Sequence, residues 1–538
     1  MNYIAGKYKF HILSFGIIFF LTFITYFHTS SFDFTYLDDN TIILNRTGKM
    51  DSLAKAKNFL FEPVFDEASN VFYRPVLNLS FFIDTLISGG EIGFYHYSNV
   101  LLHSFASCAL FIFLCVLGIG KKASLPISLL FALHPALTSA VAWVPGRNDI
   151  LLAIFVFISF TCFIKALETE KKAYYTPLFF CLFAAFLTKE TAIILPLMFA
   201  AYFFLYRHKI PKKNALAPAL VTAAAIMLYM YFRTATLAQS DGNIDFFKTV
   251  KNIINASNAT LWYGATAFLT EKIILFPQIK ITFLHIAKGL CIISFFSILS
   301  FIFRKQINFK LTVFGILWFI LFLLPTYSMA NNIYFTHRMY VPLAGLFISV
   351  LAILKPVAQA HAFVKKGLYL LAAGLIILFA CISYKQSFFY KDRPSFWLNA
   401  VEETPGSRTA NIGASKYYAD TNEPDKALYH AFAALRISKG EPSDILTQIA
   451  DSYALKREND KALFYYNKAL ESSVLNFKEH TYLSLSKFYE KNNDRQKAVE
   501  IIEKGLKLIP KSKILLNRLK ILNDEDGDDG YIITMKAG

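Results

Sequence analysis

His11-Ile12-Leu13-Ser14-Phe15-Gly16-Ile17-Ile18-Phe19-Phe20-Leu21-Thr22-Phe23-Ile24-Thr25-Tyr26-Phe27 sets the terms for the rest of the chain. The run carries no acidic group, is long enough to cross a bilayer and lacks a small-residue cleavage site, so it reads as an uncleaved signal-anchor helix. A short way beyond it comes Tyr36-Leu37-Asp38-Asp39-Asn40, two adjacent carboxylates close to a membrane surface. An Asp pair often caps a helix or forms a turn. What surrounds this one gives it another context.

The 538 residues are 55% hydrophobic and 17% charged, with 55 phenylalanines, and the mean hydropathy is +0.41. A polytopic membrane protein is indicated rather than a soluble globule. Polarity changes near residue 385, after which the chain is Lys/Glu-rich and holds no spanning run. Three segments are therefore expected: a membrane domain over 1–384, a polar helical domain over 385–523, and an acidic, solvated tail over 524–538. The net charge of +17 would suit nucleic acid. The Lys and Arg residues collect instead at the ends of apolar runs, where topology and anionic headgroups place them, so membrane lipid is the expected partner and nucleic acid is not. The six cysteines lie in apolar segments without CxxC spacing or His at ligand spacing, which indicates neither a disulfide framework nor a thiolate metal site.

Runs of spanning length lie near 10–28, 99–118, 123–142, 150–167, 173–188, 191–206, 215–232, 258–276, 285–303, 311–329, 339–354 and 366–384. Lys7 and Lys9, Lys121-Lys122, Lys171-Lys172, Arg207 to Lys213, Arg304-Lys305 and Lys365-Lys366 should be cytoplasmic. That pattern holds only if 258–276, with Asn258, Glu271 and Lys272, is re-entrant or interfacial. Eleven crossings remain. The N-terminus is then cytoplasmic and the C-terminal domain extracytoplasmic, which in the expected bacterial plasma (inner) membrane is the periplasm. Residues 29–96, 143–149, Lys189-Glu190 and 330–338 would share the outer side.

After Tyr384 the pattern is one of helical hairpins. Asp425-Lys426-Ala427, Asp460-Lys461-Ala462 and Gln496-Lys497-Ala498 recur at 35 and 36 residues, near the tetratricopeptide period. Tyr418, Tyr453 and Tyr489 precede each alanine by nine residues, and Ala434, Ala469 and Gly505 follow it by seven. Small residues there let paired helices approach, and the tyrosines fill the groove between hairpins.

Chemistry-bearing residues cluster at the expected outer boundary. Arg74-Pro75, His96 and His103 follow the Asp pair; His134-Pro135 precedes Gly146-Arg147-Asn148-Asp149; Lys189-Glu190 and His337-Arg338 interrupt apolar sequence. Arg binds phosphate oxygens through a bidentate fork and Lys acts as a point charge. Carboxylates facing Arg, Lys and His at a membrane boundary suit a lipid-linked phosphate donor and an acceptor that needs a base.

In this order, followed by tetratricopeptide repeats, these motifs resemble the TMTC group of transmembrane and tetratricopeptide-repeat O-mannosyltransferases and their bacterial relatives, which have the GT-C fold. The resemblance is densest over residues 36–190. It implies an all-α GT-C membrane domain followed by an α-solenoid, with hexosyl or mannosyl transfer from a polyprenyl-phosphate sugar to a protein or glycan acceptor on the non-cytoplasmic face, the repeats holding the acceptor. Asp39 and Asp38 become the catalytic pair, Asp39 slightly favoured as general base, and the only candidate ligands for a divalent metal, whose involvement stays open. Arg74, Arg147, Lys189 and Arg338 would bind the donor phosphate, with His103, His134, Asp149, Glu190 and His337 as further site candidates. A lipid-linked saccharide flippase and a membrane-anchored repeat scaffold are the alternatives. The first calls for charges midway through spans, and the second leaves the charged motifs without a role.

Overall fold

The computed structural model describes residues 2–49, 56–64, 72–237, 246–256, 258–269, 283–328, 334–360, 362–438, 440–472, 478–510 and 512–523. Every regular element among them is helical. The expected tail over 524–538, and 270–276 of the expected re-entrant segment, lie outside the described residues.

Eight of the described helices are long and apolar enough to cross a membrane: Lys9–Ser31, Ile92–Val116, Val144–Thr169, Lys213–Leu237, Phe283–Ile302, Phe309–Tyr327, Thr336–Pro356 and Ala362–Tyr390. The pair Lys121–Ala132 and Pro135–Ala142, bent by 53°, is long and apolar enough only when taken together, and counted as one broken span it makes a ninth. Lys172–Thr188 and Glu190–Tyr206 are shorter apolar helices parted by an extended Lys189 (φ −159°, ψ 140°). Helix Ala259–Phe268, at 10 residues, rises about 15 Å and is too short to cross.

Two departures from the sequence reading bear on the site. The second span begins at Ile92, so His96 as well as His103 lies inside it. Within the polar stretch 29–96 sits the apolar helix Pro75–Ser88, started by Pro75 and ended by Gly89 at φ +68°.

The bend in the third span explains two histidines. Pro135 interrupts the helix and frees carbonyls that lipid cannot satisfy. His103 Nε2 donates to the Ala132 carbonyl (2.7 Å) while its Nδ1 accepts from the Tyr340 hydroxyl (2.5 Å), and Ser383 Oγ donates to the Leu133 carbonyl (2.9 Å). His134 Nδ1 accepts from the Ala136 amide (3.1 Å), so its Nε2 donates to the Ala267 carbonyl (3.1 Å). Both imidazoles are fully engaged, His134 by backbone alone and His103 by backbone and the Tyr340 hydroxyl.

Spans pack where side chains are smallest. A Cβ on Gly315 would meet the Gly345 carbonyl at 2.4 Å, and one on Gly345 the Gly315 carbonyl at 2.5 Å, so helices Phe309–Leu323 and Tyr340–Ala360 touch through backbone, as membrane helices do without a hydrophobic driving force. Beside this contact Trp318 is fully buried and donates to the Val341 carbonyl (2.9 Å).

The chain divides into two compact units, with the boundary between Asn399 and Ala400, inside helix Arg393–Glu403. The second unit is an α-solenoid of three hairpins, Arg408–Asp420 with Pro424–Ile437, Ser443–Leu455 with Asn459–Glu471, and Lys478–Lys491 with Arg495–Leu508, followed by helix Lys513–Asn523. Ala427, Ala462 and Ala498 are fully buried. In each repeat the Lys at the shared register position lies over the Tyr of the partner helix: Lys426 on Tyr418 (5.1 Å), Lys461 on Tyr453 (5.3 Å) and Lys497 on Tyr489 (5.7 Å).

Candidate active site

The Asp pair sits on a strained loop. Tyr36 has φ +58°, a region costly for a bulky residue, and the guanidinium of Arg393 lies 5.0 Å over its ring. The segment after the last span grips the same loop: the Asp33 amide donates to the Lys391 carbonyl (2.7 Å), and Trp397 Nε1 to the Thr35 carbonyl (2.9 Å). Helix Asp39–Ile42 then begins, with Asp38 at its N-cap.

Asp38 caps through its backbone alone, and its side chain makes no cap hydrogen bond. The carboxylate is half-buried and left over for other work. Asp39 is 1% exposed, and its Oδ2 accepts from Thr35 Oγ1 (2.6 Å). Burial pushes both acids up. Asp38 rises to about 7, through desolvation first and the neighbouring Asp39 carboxylate second, against the pull of Arg74. Asp39 rises to about 6 by desolvation, with the Thr35 hydrogen bond opposing.

Tertiary structure brings most of the other candidates here. Arg74 sits at the N-terminus of Pro75–Ser88 and forks onto Glu190, Nε to Oε2 at 3.1 Å and Nη2 to Oε2 at 2.8 Å. Lys189 Nζ contacts Asp149 Oδ1 (2.6 Å) and Asn148 Oδ1 (3.2 Å). The charges form one field: Asp38 feels Asp39 and Arg74, Arg74 feels Glu190, Asp149 and Asp38, and Lys189 feels Asp149, Arg74 and Arg338. His337 feels Lys189, Arg338 and Arg74, and its ring packs against Phe335 and Trp143. Asp39 Oδ1, Asp149 Oδ2 and Trp143 Nε1 are buried without a hydrogen-bond partner among the described residues. Each such atom costs roughly 1–3 kcal/mol.

Arg147, His103 and His134 stand elsewhere. Arg147, expected at the phosphate, is fully buried. It is ion-paired with Asp84 (2.6 Å), donates to Asn99 Oδ1 (2.6 Å) and the Tyr95 carbonyl (2.8 Å), and lies over the Phe81 ring. Each of its three nitrogens, Nε, Nη1 and Nη2, is engaged inside the membrane unit. These contacts tie the start of helix Arg147–Thr169 to helices Pro75–Ser88 and Ile92–Val116, and the adjacent Asn148 and Asp149 meet Lys189. Gly146 permits this turn, since a Cβ there would lie 2.8 Å from Ala140 Cα.

The sequence reading missed Asp84, Thr35, Arg393 and Trp397, and it quoted Asn99 and Asn148 within motifs without giving either a role. A lone Asp in the apolar run Leu79-Ser80-Phe81-Phe82-Ile83-Asp84-Thr85-Leu86 was a legible signal for a buried partner. The contacts of Trp397 and Arg393, more than 350 residues from the loop they hold, left none. Among the described residues no group of three or more His, Cys, Asp or Glu side chains is placed to hold a metal ion.

Comparison with known proteins adds to this geometry. Residues 443–473 and 479–512 match the Tetratricopeptide repeat family. Over 139 residues the chain is 33% identical to Protein O-mannosyl-transferase TMTC3 of Homo sapiens, covering 25% of this chain and 15% of that protein. It is 32% identical over 174 residues to TMTC4 of Homo sapiens (29% and 23%) and 35% identical over 153 residues to tmtc2 of Xenopus laevis (27% and 18%). The chain is thus similar to TMTC proteins and carries tetratricopeptide repeats. Each match spans less than a quarter of the relative's own length.

Proposed function

We propose that this protein is a membrane glycosyltransferase that moves a hexose, mannose by analogy with the names of its relatives, from a polyprenyl-phosphate donor to a hydroxyl of a protein acceptor on the non-cytoplasmic face. The observation that carries the reading is the chain of interacting charges that links Asp38 to Arg74, and Arg74 in turn to Lys189 and His337, with Arg338 beside them, in the membrane unit. The buried, partnerless atoms around them suit a site that a ligand completes.

Asp38 is the general base in preference to Asp39, whose carboxylate is buried and held by Thr35. Asp38 takes the proton of the acceptor hydroxyl as the oxygen attacks the anomeric carbon. The bond from that carbon to the phosphate oxygen breaks, and polyprenyl phosphate leaves with the electron pair. A base titrating near 7 is matched to this task at neutral pH. Arg74, Lys189 and Arg338 offset the charge that grows on the leaving phosphate, while Glu190 and Asp149 hold the first two in place. Arg147 is a positioning residue.

The test uses membranes bearing the native chain, Asp38→Asn or Asp39→Asn, incubated with radiolabelled polyprenyl-phosphate sugars. Label should leave the lipid fraction with the native chain, fall by roughly a hundredfold or more in Asp38→Asn, and fall less in Asp39→Asn. Equal release by all three folded chains, or none with any donor, would sink the reading.

A further inference from the structure

The first repeat of the second unit contains a cavity of about 300 Å³. It is lined by Val401, Pro405, Asn411 and one face of helix Pro424–Ile437, namely Tyr429, His430, Ala433, Arg436 and Ile437. The repeat register shows how this repeat differs from the others. The residue 35 positions after His430 is Tyr465, which stacks on Tyr453 (5.6 Å) and meets Phe432 of the preceding repeat. The residue 35 positions after Ala433 is Lys468, paired with Glu441 and lying over Phe464. In the third repeat these positions are Ile501 and Lys504. The first repeat therefore has an imidazole where its siblings pack a large apolar or aromatic side chain, and a methyl where they carry lysine.

The polar groups of the cavity are oriented. Asn411, 2% exposed, donates its amide nitrogen to the Pro405 and Ser407 carbonyls (2.9 Å each). Its Oδ1 must then accept from His430 Nδ1 (3.1 Å), which leaves Nε2 as the acceptor of a neutral ring. That ring is stacked on Tyr418 (5.6 Å), and burial lowers its pKa. Arg436 is exposed and pairs with no carboxylate among the described residues. Tyr429, 67% exposed, stands at the rim.

We propose that this cavity binds a polypeptide segment in which a carboxylate stands beside an apolar side chain. The carboxylate pairs with Arg436, an N–H or O–H of the segment donates to His430 Nε2, and the apolar side chain enters between Val401, Ile437 and the Tyr429 ring. The site deepens the reading of a protein acceptor and rests on it for biological meaning, though not for its chemistry. A chain terminus and an acidic side chain supply the same carboxylate, and the test separates them.

Fluorescein-labelled octapeptides are titrated by anisotropy against the full chain in nanodiscs. One ends in Leu with a free carboxylate, one is amidated with an internal Leu-Asp, and one is amidated with Leu-Asn. At least one of the first two should bind about tenfold or more tighter than the third, the scale of one charge-assisted hydrogen bond. Arg436→Gln should reduce that preference to within about twofold. Ala433→Lys, which installs the residue of both sibling repeats and so suits the fold, should abolish binding. Equal affinity for all three peptides, no binding to the native chain, an unchanged preference in Arg436→Gln, or displacement by a neutral oligosaccharide that binds more tightly would each overturn the proposal. Transfer activity measured on the same nanodiscs keeps the two readings apart. Peptide selectivity without transfer leaves this site standing and the transferase reading fallen, and transfer without selectivity does the reverse.

Discussion

Asp38 and Asp39 differ by one position in sequence and by their whole environment in the fold, and pH separates them. Folding raises both acids above the ordinary carboxylate value of about 4, to about 7 and about 6, so the folded state holds extra protons across that window. Stability therefore falls as pH rises from about 4 to about 7, while transfer should rise as Asp38 loses its proton near 7. A rate profile with an acid limb near pH 7 that persists in Asp39→Asn checks the assignment, and a limb that vanishes only in Asp39→Asn refutes it. Arg147 makes a different prediction. Arg147→Leu leaves Asp84 buried without its partner and should cost about 3–5 kcal/mol, whereas Arg147→Leu with Asp84→Leu should recover most of that loss. Folded yield and thermal melting of the detergent-purified chains distinguish this from a phosphate contact, for which the single variant would melt near the native temperature and the second substitution would recover nothing.

Helices meet and end for reasons that substitutions can probe one at a time. Gly345→Leu places a side chain against the Gly315 backbone, where even a Cβ would be at 2.5 Å. The spans must separate, and the melting temperature should drop by several degrees, as expected for overpacking of about 1–3 kcal/mol. In the solenoid, Asn422, Arg457 and Asn493 take φ near +60° at the turn of each repeat. Asn takes up that region more readily than Arg, so Arg457→Asn should stabilise the second repeat by up to about 1 kcal/mol, read by slower hydrogen exchange in helices Ser443–Leu455 and Asn459–Glu471. No change in protection would show that the turn carries no such strain.

At the scale of the whole molecule, the eleven helical segments expected to cross give an odd count. Alkaline phosphatase fused after Asn523 should then be active outside the cytoplasm, and the same enzyme fused after Lys305 should be inactive. Activity at both sites, or at Lys305 alone, would reverse the topology on which the placement of donor and acceptor depends.

The sequence by itself determined what is periodic or local. Apolar runs of spanning length, Lys and Arg at their ends and a repeat of 35 and 36 residues depend on neighbouring residues, so membrane class, span positions and three hairpins were legible in composition and spacing. The charged motifs were legible as candidates, because a charge in an apolar run must find a partner. Which partner it finds was decided only by tertiary structure. Arg74 and Arg147 look alike in sequence, yet one faces Glu190 beside Asp38 and the other is buried against Asp84. Likewise, Thr35 and Trp397 decide which of two adjacent aspartates is held and which is left available. The physical reason is that the energy of a buried charge depends on the groups within a few ångströms of it, and here those groups come from helices up to hundreds of residues away.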